Sequence, residues 1–138
     1  MDIYSKKKRS EVMSKISGKN TKQEMYIRKF LFSKGFRYRI DDRRYPGRPD
    51  IILPKFKTAI FVHGCFWHGH LGCKASKLPE TRKEFWEKKI GDNKIRDERN
   101  IEVLKNNGWN VIVIWQCELK NITTREKRLE RLVAEISQ

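Results

Sequence analysis

All three histidines of this 138-residue chain, and two of its three cysteines, fall within one stretch, VHGCFWHGHLGC at 62–73. Thiolates and imidazoles are the donors that borderline and soft transition metals select. Cys65, His70 and Cys73 are spaced C-x4-H-x2-C in a glycine-containing loop and could converge on one tetrahedral ion, with Cys117, just past the apolar run VIVIW, as fourth ligand. A Cys3His set leaves no open position, so a zinc ion held there would be structural. The alternative is three unrelated free or buried cysteines. An odd count closes no disulfide framework, and metal-bound thiols suit a reducing compartment. His63 and His68 remain outside the set. Either could be an ordinary hydrogen-bonded histidine. At the mouth of a strand and beside a metal clamp, both are candidates for proton chemistry near neutral pH.

A carboxylate lies upstream. In YPGRPDIIL (45–53), Asp50 opens an apolar run directly after Pro-Gly-Arg-Pro. Strands disfavour Asp, so packing explains it poorly. It could cap the turn after Pro49. It could also serve Mg²⁺, which takes oxygen ligands and keeps several waters, with a main-chain carbonyl supplied by the end of the nearby TAIFV run (58–62).

These residues need elements to hold them. Residues 1–9 read as a basic, mobile tail. Val12, Met13 and Ile16 have helical spacing over 10–17, before Gly18. Thr21-Lys-Gln-Glu24 is a capping box opening a helix to about Lys34, closed by Gly35. FRYRI (36–40), DIIL (50–53) and TAIFV (58–62) read as strands, and the last two are apolar throughout, as in strands covered on both faces. Thr81-Arg-Lys-Glu84 is a second capping box, opening a long charged helix to about Asn107. WNVIVIW (109–115) is the strongest strand, and Thr123-Thr-Arg-Glu126 starts a last amphipathic helix with Leu129, Leu132, Val133 and Ile136 inward. The order α-α-β-β-β-α-β-α predicts an α/β fold: a mixed central β-sheet flanked by helices, in the element order of a restriction-endonuclease-like core. The chain is expected to be one domain over 1–138, with 1–17 as a basic arm.

Composition narrows the partner. The 32 Lys+Arg against 17 Asp+Glu leave a net charge of +15, the mark of a polyanion ligand, nucleic acid before acidic membrane. No apolar run approaches the ~20 residues of a membrane span, and the N-terminus lacks a secretory h-region. A cytoplasmic, nucleoid-facing protein is expected.

Taken together, PGRPD, IFVHGCFWHGH, EFWEKKIGDN and GWNVIVIWQC resemble the very short patch repair endonucleases of bacteria, from about Arg9 to Cys117. The resemblance implies a restriction-endonuclease-like fold and Mg²⁺-dependent nicking of double-stranded DNA 5′ of the thymine in a T:G mismatch, the lesion left by deaminated 5-methylcytosine. It implies that Asp50 binds the metal ion and that Val62 offers its carbonyl where the family has a threonine. His68 resembles the base that activates water, and His63 an accessory histidine. Glu24 matches a glutamate reaching the metal region through water; its other reading is the capping box itself. Cys65, His70, Cys73 and Cys117 match structural Zn²⁺ ligands. Besides Val62, two departures stand out: Leu71 and Gly72 separate His70 from Cys73 where the family has one residue, and Gly69 stands where it often has a histidine.

The resemblance also gives Phe66 and Trp67, with Trp86, the role of intercalating wedges, since aromatic side chains beside a basic surface can part base steps. Packing is their alternative role, and Phe85 is the better packing candidate of its pair. Lys89, Asn93 and Asp97 share a helix face. Family likeness puts Lys89 and Asn93 near the mismatch, and Met13 and Ile16 as a minor-groove wedge opposite. Asp97 could accept a hydrogen bond from cytosine. Nothing in the sequence suggests a dimer interface, so a monomer is expected, with mismatch-repair proteins as further partners. Two rival functions are a zinc-stapled DNA-binding module without catalysis and a double-strand-cutting restriction-like nuclease.

Overall fold

The structure, a computed structural model, describes residues 21–136. Thr21 Oγ1 accepts a hydrogen bond from the Glu24 amide at 3.3 Å and opens helix α1 (Lys22–Ser33). Gly35, at φ 86°, takes the left-handed turn that ends it. Strands β1 (Arg39–Ile40), β2 (Ile51–Leu53) and β3 (Thr58–His63) follow, then helix α2 (Lys83–Asn106), strand β4 (Asn110–Trp115) and helix α3 (Ile122–Ile136). Sheet order is β1-β2-β3-β4, antiparallel through β3 and parallel between β3 and β4. The expected mixed sheet with flanking helices is therefore what folds. The expected helix over 10–17, with Met13 and Ile16, lies outside the described residues.

Alternation across the pleat divides the apolar residues between two faces. Ile51, Leu53, Ile60, Ile112 and Ile114 face Ile27 and Leu31 of α1 and Leu129, Leu132 and Ile136 of α3. Ile52, Ala59, Phe61, Val111 and Val113 face Leu104 and Ile101 of α2. Burying each large aliphatic side chain stabilises by roughly 1.5–3 kcal/mol, which makes β2 and β3 the fixed frame of the molecule.

Four local expectations fail. FRYRI yields only Arg39–Ile40, because β1 is an edge strand whose partner β2 offers two paired positions, Ile51 and Ile52. The capping box at Thr81 does not form: the residue before α2 is Arg82, left-handed at φ 57°, with its guanidinium 4.4 Å from the Phe85 ring centroid. Phe85 is consequently 46% exposed rather than packed. α3 starts from Asn121, whose Oδ1 accepts from the amides of Thr123 (2.8 Å) and Thr124 (3.4 Å), and not from Thr123 itself.

Candidate active site

Parallel strands need a long crossover, and residues 64–109 supply it between β3 and β4. Their carboxyl ends lie side by side, with His63 opposite Trp115. In open α/β sheets this end of the strands is where ligands bind. The chain leaving β3 folds at once into tight turns, with His68 N bonded to Gly64 O at 3.1 Å and His70 N to Cys65 O at 2.9 Å. Gly69 and Gly72 take positive φ (60° and 76°). A Cβ at Gly69 would lie 2.8 Å from Ile90 and Lys94 of α2, so the loop presses on that helix where a histidine could not.

These turns bring Cys65, His70 and Cys73 together, and the turn after β4 adds Cys117. One donor atom from each lies within 4.8 Å of all the others. Cys117 Sγ is 3.4 Å from His70 Nδ1, the nitrogen facing the cluster. Burial first, then the neighbouring Cys65 and Cys73 thiols, push Cys117 up to about 12. Cys73 is lowered, chiefly by the Ala75 amide. A cation at the centre would remove the mutual repulsion of the thiolates, and three thiols with one imidazole are a fitting donor set for a tetrahedral metal.

His63 and His68 lie outside that cluster, as their types and places suggested. Their rings stack at 3.9 Å with 2° between planes. His68 Nδ1 is 2.6 Å from Asp97 Oδ2 on α2. With Nδ1–H donating to that carboxylate, the lone pair of His68 sits on Nε2, the arrangement of a general base. Asp97 is thus held by histidine and not presented to a base edge. Burial, then the adjoining His68, lowers His63 to about 4, with Asp97 opposing. His63, His68 and Asp97 are close enough to share an ion. An ion taking His68 Nδ1 as a ligand would have to displace its hydrogen bond to Asp97.

Asp50 stands at the same end of the sheet. Its Oδ2 accepts from the Val62 amide at 2.6 Å. Along a strand, a residue's N–H and C=O point to the same edge, so the Val62 carbonyl faces the Asp50 side too. That pairing of a carboxylate and a carbonyl fits a hard divalent cation. Glu24 is 4% exposed and ion-paired to Arg28 at 3.1 Å. The Glu24 amide is capped by Thr21, its carboxylate is engaged by Arg28, and the residue lies among those lining the cleft. That open cleft, of about 810 Å³, is lined by Glu24, Asp50, Val62, His63, His68 and Asp97, together with Lys22, Arg48, Arg96 and Trp67.

Phe66, Trp67 and Trp86 form one aromatic cluster with centroids 5.3 to 5.7 Å apart. Trp67 is 48% exposed, and Phe66 and Trp86 are half-buried. Lys89 is exposed on α2, but Asn93 is 6% exposed. The Asn93 amide donates to Trp67 O at 2.9 Å and accepts from Arg96 at 3.1 Å. The structure therefore engages Asn93 in holding the Trp67 loop rather than leaving it open to a base. Sequence reasoning missed this brace and the His68–Asp97 pair; the shared face of 93 and 97 was the one signal for both.

A family model described as DNA mismatch endonuclease Vsr matches residues 1–74. The Type II nicking enzyme V.NmeAIP of Neisseria meningitidis serogroup A is 52% identical over 135 residues, covering 98% of this chain and 96% of that protein. The Type II nicking enzyme V.XorIIP of Xanthomonas oryzae is 42% identical over 132 residues, 96% of each chain. The DNA mismatch endonuclease Vsr of Escherichia coli is 40% identical over 134 residues, 97% of this chain and 83% of that protein.

Proposed function

The chain belongs to the Vsr family of DNA mismatch endonucleases, and from that footing we propose that it nicks duplex DNA 5′ of the thymine in a T:G mismatch by Mg²⁺-dependent hydrolysis. DNA is the substrate class of the family, and the +15 net charge fits it. The observation that carries the reading is the meeting, in one cleft, of a carboxylate–carbonyl pair and a histidine held by a carboxylate.

Asp50 and the Val62 carbonyl would hold Mg²⁺. When bound, that ion stabilises charge on the phosphoryl oxygens and the leaving alkoxide. His68 would take a proton from the attacking water at Nε2, while Asp97 keeps Nδ1 protonated and the ring in place. His63, stacked on His68, limits its rotation. Glu24 would act through water at the edge of the cleft. Cys65, His70, Cys73 and Cys117 would hold a structural Zn²⁺, closed to substrate.

Trp67, with Phe66 and Trp86 behind it, would wedge into the stack at the mismatch. Lys89 would contact the DNA from α2, and Met13 and Ile16 the opposite groove. We read the core as restriction-endonuclease-like and the chain as one monomeric domain acting on cytoplasmic DNA, with mismatch-repair proteins as further partners. Among the described residues, no helix is long and apolar enough to cross a membrane.

The test is a plasmid carrying one T:G pair. Nicked circles formed only with Mg²⁺ are expected. Linear product would favour a double-strand-cutting nuclease, and binding without any cut a non-catalytic module.

A further inference from the structure

Trp115 has no part in the chemistry above, yet it touches both halves of the site. Its indole lies flat on His70, with centroids 4.0 Å apart and planes within 6°. It also meets His63 edge to face at 5.2 Å and 75°. His63 stacks on His68, and His68 bonds to Asp97. Five side chains thus run in unbroken contact from the metal cluster to α2: His70, Trp115, His63, His68 and Asp97. The register of β3 and β4, with His63 directly opposite Trp115, builds the middle of that line into the sheet.

The two ends of the line are held differently from its middle. His70 presents Nδ1 to the cluster, so a bound cation would fix its ring. Asp97 fixes His68 by a short hydrogen bond. His63 has no such anchor on one side: its Nδ1 is buried without a hydrogen-bond partner among the described residues. A buried polar nitrogen left this way is uncommon. The His63 ring lies against aromatic neighbours, Phe61 at 5.8 Å, His68 and Trp115. Flat groups in stacked or edge-on contact constrain one another's tilt, which single aliphatic contacts do not.

We propose that Trp115 is a positioning residue that carries the fixed orientation of the metal-bound His70 to the His63–His68 pair. The proposal rests on reading His68 as the general base. On this account the Cys3His centre does more than staple its loop. Through one indole it sets the angle at which the base faces water.

Trp115→Leu tests it, since leucine keeps an apolar filler and removes both planar contacts. The variant should retain about one zinc per chain and near-wild-type affinity for T:G DNA. Its single-turnover nicking rate at saturating DNA should fall by roughly tenfold to a hundredfold, the order expected when a reacting group is misplaced by about 1 Å. Proton NOEs between the His63 and His68 rings, strong in the wild type, should be lost. Trp115→Phe should recover part of the rate. A metal-bound Trp115→Leu protein with wild-type rate and intact NOEs overturns the proposal.

Should Trp115→Leu lose its metal or not fold, His70→Cys takes its place. A four-cysteine set also binds zinc, but without the imidazole that stacks on Trp115. The same losses are expected, and a wild-type rate with intact NOEs again overturns the proposal. If the wild type itself nicks no T:G DNA, the functional reading fails, while the NOEs in the variants still decide the positioning claim.

Discussion

Replacing Asp97 by asparagine keeps the shape of the side chain and removes its charge. In the structure Asp97 Oδ2 lies 2.6 Å from His68 Nδ1, with side chains 17% and 24% exposed, so the pair is shielded from water but not sealed. A carboxylate can only accept here, which keeps the proton on Nδ1 and the lone pair on Nε2. A carboxamide has two faces. With its oxygen toward His68, the tautomer survives and only the charge assistance is lost. With its NH2 toward His68, the proton moves to Nε2 and no base remains. The expected loss runs from about 10²-fold for the first case to about 10⁴-fold for the second, about 2.7 to 5.4 kcal/mol of barrier. The assay is single-turnover nicking of an end-labelled T:G duplex with Mg²⁺ and enzyme in excess, with DNA affinity measured alongside and expected to be nearly unchanged. A rate within about threefold of wild type would refute the assignment of His68 as a base oriented by Asp97, because either orientation of the amide removes the charge that steadies the protonated ring.

Cys117→Ser should abolish stoichiometric zinc and lower the unfolding temperature; a zinc-free wild type of full stability would dispose of the metal site. Asn93→Ala should remove the donor to the Trp67 carbonyl, costing about 0.5–1.5 kcal/mol in urea unfolding and weakening discrimination of mismatched from paired DNA. If discrimination is unchanged, the brace on the Trp67 loop has no part in recognition. Trp67→Ala should reduce the preference for T:G DNA more than it reduces general binding, and equal losses on both duplexes would make Trp67 a packing residue.

Short-range grammar was legible in the sequence, and long-range pairing was not. Cys65, His70 and Cys73 lie within nine positions of one another, so their convergence needs only turns, and the apolar run before Cys117 advertised the strand that delivers it. β2 and β3 were readable because strands covered on both faces must be apolar throughout. Asp97 was not readable as the partner of His68. It lies 29 residues away on a helix crowded with charge, where one more carboxylate carries no signal. The Asn93 brace was not readable for a related reason: the helical pattern put the residue on a face, but the approach of the Trp67 loop at Gly69 is a tertiary fact. The Thr81 capping box failed because Arg82 takes left-handed geometry over the Phe85 ring instead of letting an extended residue cap the helix.

If Asp50 holds the catalytic ion, nicking must be confined to one strand and must depend on that carboxylate. The direct measurement is the position of the break on a duplex carrying one T:G pair, labelled on each strand in turn, with wild-type protein and with Asp50→Ala. One break is expected, on the thymine strand immediately 5′ of the mismatched base, dependent on added Mg²⁺ and absent with Asp50→Ala although that variant folds and binds the duplex. A break on the guanine strand, a break in both strands, or undiminished nicking by Asp50→Ala would contradict it.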